Sequence, residues 1–166
     1  MSGASQIRET QPPEVLASDL CWLLSRANQL LTAEFETALA ASGLSPRKHH
    51  VLATAMTAEH TQTELARIVG LDKTTMMVTL DELERDGLAQ RRPLPADRRA
   101  RVVAVTAAGE FALRDADSAL QSVRDQALSV LPEGERSTFL QSLERLACPG
   151  CVESREDLAG CAPVAP

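Results

Sequence analysis

Tyrosine is absent from the 166 residues and tryptophan occurs once, so aromatics make up only 2% of the chain. A core built without large rings must be aliphatic, chiefly leucine, valine and alanine, which suits helices, and the length is that of one domain. No apolar run approaches the roughly 20 residues that a bilayer span needs. The opening stretch MSGASQIRETQPPE lacks a secretory apolar region. The expectation is a soluble cytoplasmic protein with no membrane partner. The four cysteines are then expected as free thiols rather than structural disulfides. No nucleophile–base pair and no metal-ligand constellation is visible. An enzyme is therefore not expected, nor a cofactor, and the expected metal sites are none.

What is present concentrates between Thr61 and Thr106. Thr61-Gln62-Thr63-Glu64 has the form of a capping box, in which hydroxyl and carboxylate satisfy the orphan amides of a helix start. Leu65, Ala66, Ile68 and Val69 follow, and Gly70 supplies a left-handed stop. Asp72 then caps a second helix whose Met76, Leu80 and Leu83 face inward. Its other face shows Lys73, Thr74, Thr75, Met77 and Val78. Two helices joined by a glycine turn present one of them to the DNA major groove in helix-turn-helix proteins; an ordinary helical hairpin looks the same up to this point.

After Gly87 the period changes. Leu88–Arg92 and Arg101–Val105 alternate as strands, and the prolines of Pro93–Ala100 are expected to block sheet continuation. From Arg85 to Arg101 six arginines (Arg85, Arg91, Arg92, Arg98, Arg99, Arg101) face two acids, Asp86 and Asp97, a local charge of +4 in a chain of formal net charge −6. Such a run can be a solvated face. Placed directly after a helix pair in an acidic protein, it has the electrostatic footprint of a wing that contacts phosphates. The fold class expected is mainly α with a small β-wing, a winged helix-turn-helix carrying extra terminal helices.

These residues resemble the DNA-binding core of the MarR (multiple antibiotic resistance regulator) family of bacterial transcription factors. The matching features are ELA in the first helix, GLDKTT leading into the second and LDELERDGL closing it. The D-R-R of Asp97–Arg99 follows, then Val103, Val105-Thr106 and Gly109. More loosely, the resemblance spans Val15 to Ala147. It implies that Asp97 braces the wing and that Arg99 reaches into the minor groove. It further implies a homodimer formed through the terminal helices and a small aromatic effector bound between those helices and the DNA-binding lobe.

The remaining chain fits that layout: a tail over 1–13, one domain over 14–147 and a cysteine-containing tail over 148–166. Within the domain, a core over 45–106 is flanked by dimerisation helices over 14–42 and 107–147. One long amphipathic helix is expected from Glu14 to Ala41, with leucines at spacings of three and four. Ser45-Pro46 starts another, Thr106 caps a helix running towards Val130, and Pro132 opens the last. Helices longer than the core requires leave an apolar face that a second copy can bury. A two-fold dimer would set two recognition helices on the half-sites of a pseudo-palindromic operator in double-stranded DNA. Lys73 and Thr74 suit phosphates or base edges, and Met77 and Val78 suit thymine methyls. Arg85, Arg91 and Arg92 suit phosphates.

Trp22, Arg26, His49 and His50 are the candidate effector residues, able to stack on a ring or pair with a carboxylate; the histidines read equally as a solvated helix face. Cys21, between Leu20 and Trp22, stands where the peroxide-sensing branch of the resembling family carries its reactive cysteine, but that branch pairs it with tyrosines. Beside leucines it reads as an inert small hydrophobe. Cys148 and Cys151 form a C-x-x-C beyond the last helix, outside any βαβ unit. That leaves open a bystander tail, a regulatory disulfide, or a zinc site of Cys148, Cys151 and the downstream Cys161 if His49, His50 or His60 supplies the fourth ligand. The functional expectation is a repressor released by an aromatic effector; an oxidant-sensing repressor and a winged-helix module for a protein partner are the competing readings.

Overall fold

The structure, a computed structural model, describes residues 12–94 and 97–148. Helices α1 (Glu14–Ala17) and α2 (Leu20–Leu39) are followed by a tight helical turn, Ala40–Ser42, and α3 (Pro46–Ala55). Strand β1 (His60–Thr61) precedes α4 (Gln62–Val69) and α5 (Lys73–Arg85); β2 (Ala89–Leu94) and β3 (Asp97–Val105) form the wing. Helices α6 (Ala107–Leu128) and α7 (Glu133–Ala147) complete the order. The chain divides into two compact units, the first ending at Val123 and the second beginning at Arg124, a boundary inside α6. Among the described residues no helix is long and apolar enough to cross a membrane.

The core of the first unit is aliphatic, as the missing aromatics require. Leu39, Val51, Leu52, Leu65, Met76, Leu80 and Leu83 are wholly buried, with Ala112 and Ala116 of α6 and Val103 of the wing in the same cluster. Helix α5 contributes three of these side chains. An isolated helix of its 13 residues is marginal in water, so packing rather than propensity holds it. Burying each large side chain stabilises it by roughly 1.5–3 kcal/mol.

Helix starts follow the sequence signals. The Ser45 hydroxyl accepts from the Lys48 amide at 3.3 Å, with Pro46 in the first turn of α3. Thr106 accepts from the Gly109 amide at 3.1 Å and donates its hydroxyl to the Gly87 carbonyl at 2.7 Å, tying the start of α6 to the turn after α5. The expected single helix over Glu14–Ala41 is instead broken at Ser18. The Asp19 carboxylate accepts from the Trp22 amide at 2.8 Å and so restarts the helix as α2. In the second unit, α7 begins just after Pro132.

The sheet is larger than a hairpin. Its order is β1-β3-β2, with His60 opposite Val103 and Thr61 opposite Val102. Thr61 thus ends a strand and caps a helix at once, a double use that alternation alone does not reveal. The strands also extend further than expected. Pro93 lies inside β2, opposite Arg101, and the register shifts only between Pro93 and Leu94. Because β2 is the edge of the sheet, a residue without an amide hydrogen is tolerated there.

Gly109 of α6 lies where backbones nearly touch. An added Cβ would fall against the Leu88 carbonyl oxygen, well inside any real contact, and 2.8 Å from Val105 Cγ1. Backbone cannot give way as a flexible side chain can. Gly109→Ala is therefore expected to destabilise the chain by about 2–3 kcal/mol. In urea unfolding this appears as a lowered midpoint with an unchanged slope.

Candidate nucleic-acid interface

The outward face of α5 is built by its start. In α4, Thr61 and Glu64 form the reciprocal capping box, with the Thr61 amide donating to Glu64 Oε2 at 2.7 Å. Gly70 then turns the chain at φ 75°. Asp72 Oδ1 accepts from the Thr74 and Thr75 amides, both at 2.9 Å, and Oδ2 accepts from the Thr75 hydroxyl at 2.5 Å. These bonds hold the Asp72 carboxyl below the usual aspartate range, the Thr75 hydroxyl contributing most. Thr75 is thereby spent on the cap and half-buried, while Lys73, Thr74, Met77 and Val78 are exposed together. Their surface offers a cation and a hydroxyl at the positive helix end and two apolar side chains one turn on.

The second half of α5 is acidic, and its acids are partnered. Lys48 of α3, with a side chain only 13% exposed, pairs with Asp86 at 2.8 Å and Glu82 at 3.5 Å. That bond lowers the Asp86 pKa. Arg91 of β2, 20% exposed, pairs with Asp81 at 2.8 Å and also with Glu84. Arg91 is therefore packed into the lobe rather than standing at its surface. Arg92, its neighbour, has the opposite fate: successive strand residues point to opposite faces, and Arg92 is exposed. Arg101 is exposed as well, and the Arg85 side chain is 70% exposed beside Asp86. Asp97, Arg98 and Arg99 open β3; their side chains lie outside the described residues. Sequence reading missed Lys48, Asp81 and Glu84. The signal was there, since Asp81 and Glu84 are spaced to share a helix face and need a cation.

The effector candidates are less well assembled. His49 and His50 on α3 have ring centroids 5.8 Å apart, inclined by 67°. Burial lowers the pKa of both; for His49 the neighbouring His50 adds to the lowering and Asp117 opposes it. Trp22 is half-buried and Arg26 exposed on α2. A cavity of about 580 Å³ is lined instead by Ala55, Met56, Glu59 and Arg92 with Val102–Val105 of β3, and by none of those four candidates.

Cys21 is an exposed free thiol, not the packed small hydrophobe expected, because the leucines around it are themselves exposed. Cys148 is disulfide-bonded, which corrects the expectation of free thiols. Cys151 and Cys161 lie outside the described residues. Among the described residues no group of histidines, cysteines and acids is arranged to hold a metal.

The cap carries a pH prediction. The Asp72 pKa is lowered in the folded chain, so its contribution is fully present above the ordinary aspartate range. It is lost as pH falls through that range and below it. Asp72→Ala should destabilise the chain at pH 7, and the gap to the unsubstituted protein should narrow towards about pH 3. Urea unfolding of both proteins across that range measures it.

The same architecture occurs in known proteins. Residues 42–100 match the MarR family. A MarR-family transcriptional regulator from Rhodococcus sp. RHA1 is 27% identical, with a TM-score of 0.75 over 82% of this chain and 98% of its own. CouR from Rhodococcus jostii RHA1, bound to p-coumaroyl-CoA, is 28% identical, with a TM-score of 0.74 over 82% of this chain and 97% of its own. The repressor CouR bound to a 23-mer DNA duplex is 27% identical, with a TM-score of 0.75 over 81% of this chain and 96% of its own. The matched residues hold the helix-turn-helix and the first part of the wing, and over most of its length the chain shares the fold of these MarR-family regulators.

Proposed function

We propose that the protein is a homodimeric, sequence-specific DNA-binding repressor whose grip is released by a small aromatic effector. The observation that carries DNA binding is the placement of Lys73, Thr74, Met77 and Val78 as the exposed face of α5, next to an arginine-rich hairpin in a chain of net charge −6. In this reading Lys73 and Thr74 hold phosphate or base edges, and Met77 and Val78 meet thymine methyls. Arg85, Arg92, Arg98 and Arg101 engage phosphates, which position the protein without reading sequence. Arg99 enters the minor groove and Asp97 braces the wing that carries it.

Dimerisation is supported by apolar surface. Leu20, Leu23, Leu24 and Leu30 of α2 are each more than 40% exposed, and Phe139 and Leu146 of α7 are exposed too. A second copy is the partner that would cover them, and it would pair two recognition helices on a pseudo-palindromic operator. The effector reading is supported by the similarity to CouR, which is bound to an aromatic acyl-CoA. Trp22, Arg26, His49 and His50 supply ring and charge for such a ligand.

Two measurements test DNA binding, both on a genomic fragment recovered with the protein. Arg99→Ala should weaken binding by about 1–3 kcal/mol in fluorescence anisotropy. Log affinity should fall linearly with log salt concentration, with a slope of magnitude at least about 5 for two subunits. Unchanged affinity together with a flat salt response would favour a winged-helix module that binds a protein partner.

A further inference from the structure

We propose that Arg91 is a positioning residue: it fixes the wing against the recognition helix through Glu84 and Asp81, which makes two acids working parts of a DNA-binding surface. The proposal rests on the DNA-binding reading above and assigns roles within it.

The geometry is specific. The Arg91 amide donates to Glu84 Oε1 at 2.6 Å, and its guanidinium Nη1 donates to Glu84 Oε2. Nη2 donates to Asp81 Oδ1 at 2.8 Å and points to the Met77 carbonyl at 3.5 Å. Met77, Asp81 and Glu84 follow one another at spacings of four and three, so they form one strip along α5. One planar guanidinium with donors in a fixed fork can bridge that strip; a lysine, a compact point charge, cannot.

Charge favours the same assignment. A phosphate arriving at Arg91 would meet one cation between two carboxylates, a local charge of −1, whereas a phosphate arriving at Arg92 meets an exposed cation. For a surface whose role is to attract DNA, Asp81 and Glu84 are a liability unless they do something else. Their hydrogen bonds show what that is. The wing follows α5 after only Asp86, Gly87 and Leu88, and Gly87 sits at φ 72° in a turn that could act as a hinge. Thr106 secures the turn itself through the Gly87 carbonyl. Arg91 acts further out along β2, and through Met77 it ties the strand to the segment of α5 that faces DNA.

The sign of one substitution separates the two roles. Glu84→Gln removes a negative charge from the lobe. If Arg91 positions the wing, binding to the recovered fragment should weaken by at least about fivefold. The slope of log affinity against log salt should not change, because no phosphate contact is lost. Arg91→Lys should weaken binding as much as Arg91→Ala, and the more exposed Asp81→Asn should give a smaller loss in the same direction. Hydrogen exchange at the β2 amides should accelerate in all four variants without DNA present.

Tighter binding by Glu84→Gln would overturn the proposal. So would full rescue by Arg91→Lys, or a salt slope reduced by about 1 per subunit in Arg91→Ala. The exchange measurement needs no DNA. If the unsubstituted protein recovers no fragment, the DNA reading fails while exchange still decides whether the brace exists; unchanged exchange in Glu84→Gln would overturn the brace itself.

Discussion

The interface depends on how firmly α5 is seated. Met76, Leu80 and Leu83 are wholly buried in an aliphatic cluster that also holds Leu52 of α3 and Leu65 of α4. Thr79, buried beside them, donates its hydroxyl to the Thr75 carbonyl at 2.7 Å, so its own polar atom is satisfied inside the core. That seating fixes the rotation of the helix, and the rotation decides which side chains point outward. With the buried strip set, Lys73, Thr74, Met77 and Val78 have only solvent to face. Leucine, valine, methionine and alanine fill this core without aromatic rings.

Electrostatics then divides the lobe. Cations at the start of α5 and on the outer side of the hairpin stay exposed, while Lys48 and Arg91 are turned inward and neutralise the acids of the second half of α5. The net charge of −6 is therefore no obstacle to DNA binding. Local fields over a Debye length of about 8 Å matter more than the total. An acidic chain with a segregated basic hairpin is also protected from sticking to nucleic acid through its other faces.

Much of this was legible in the residues, and the failures have physical reasons. Local signals carried through: the Thr61–Glu64 capping box, the left-handed Gly70, Asp72 at the start of α5 and the buried period of Met76, Leu80 and Leu83 all act within one or two helical turns. What local pattern could not show was pairing across the chain. His60 and Thr61 become a strand only because Val102 and Val103 lie opposite them. Pro93 fits a strand because β2 happens to be an edge. Arg91 and Arg92 look identical in sequence, and only strand alternation against α5 separates a brace from a surface cation. The break at Asp19 was missed for a different reason, since one local cap outcompeted a continuous leucine period.

The central claim is that two copies of this chain read a two-fold DNA site through α5 and the wing. Selection of genomic fragments by the purified full-length protein, followed by sequencing, tests it most directly. The account predicts enrichment of fragments sharing a pseudo-palindrome whose half-sites are about one helical turn apart, roughly 10 base pairs centre to centre. Recovery of no fragments above a mock selection, or of fragments with no shared symmetric element, would contradict it.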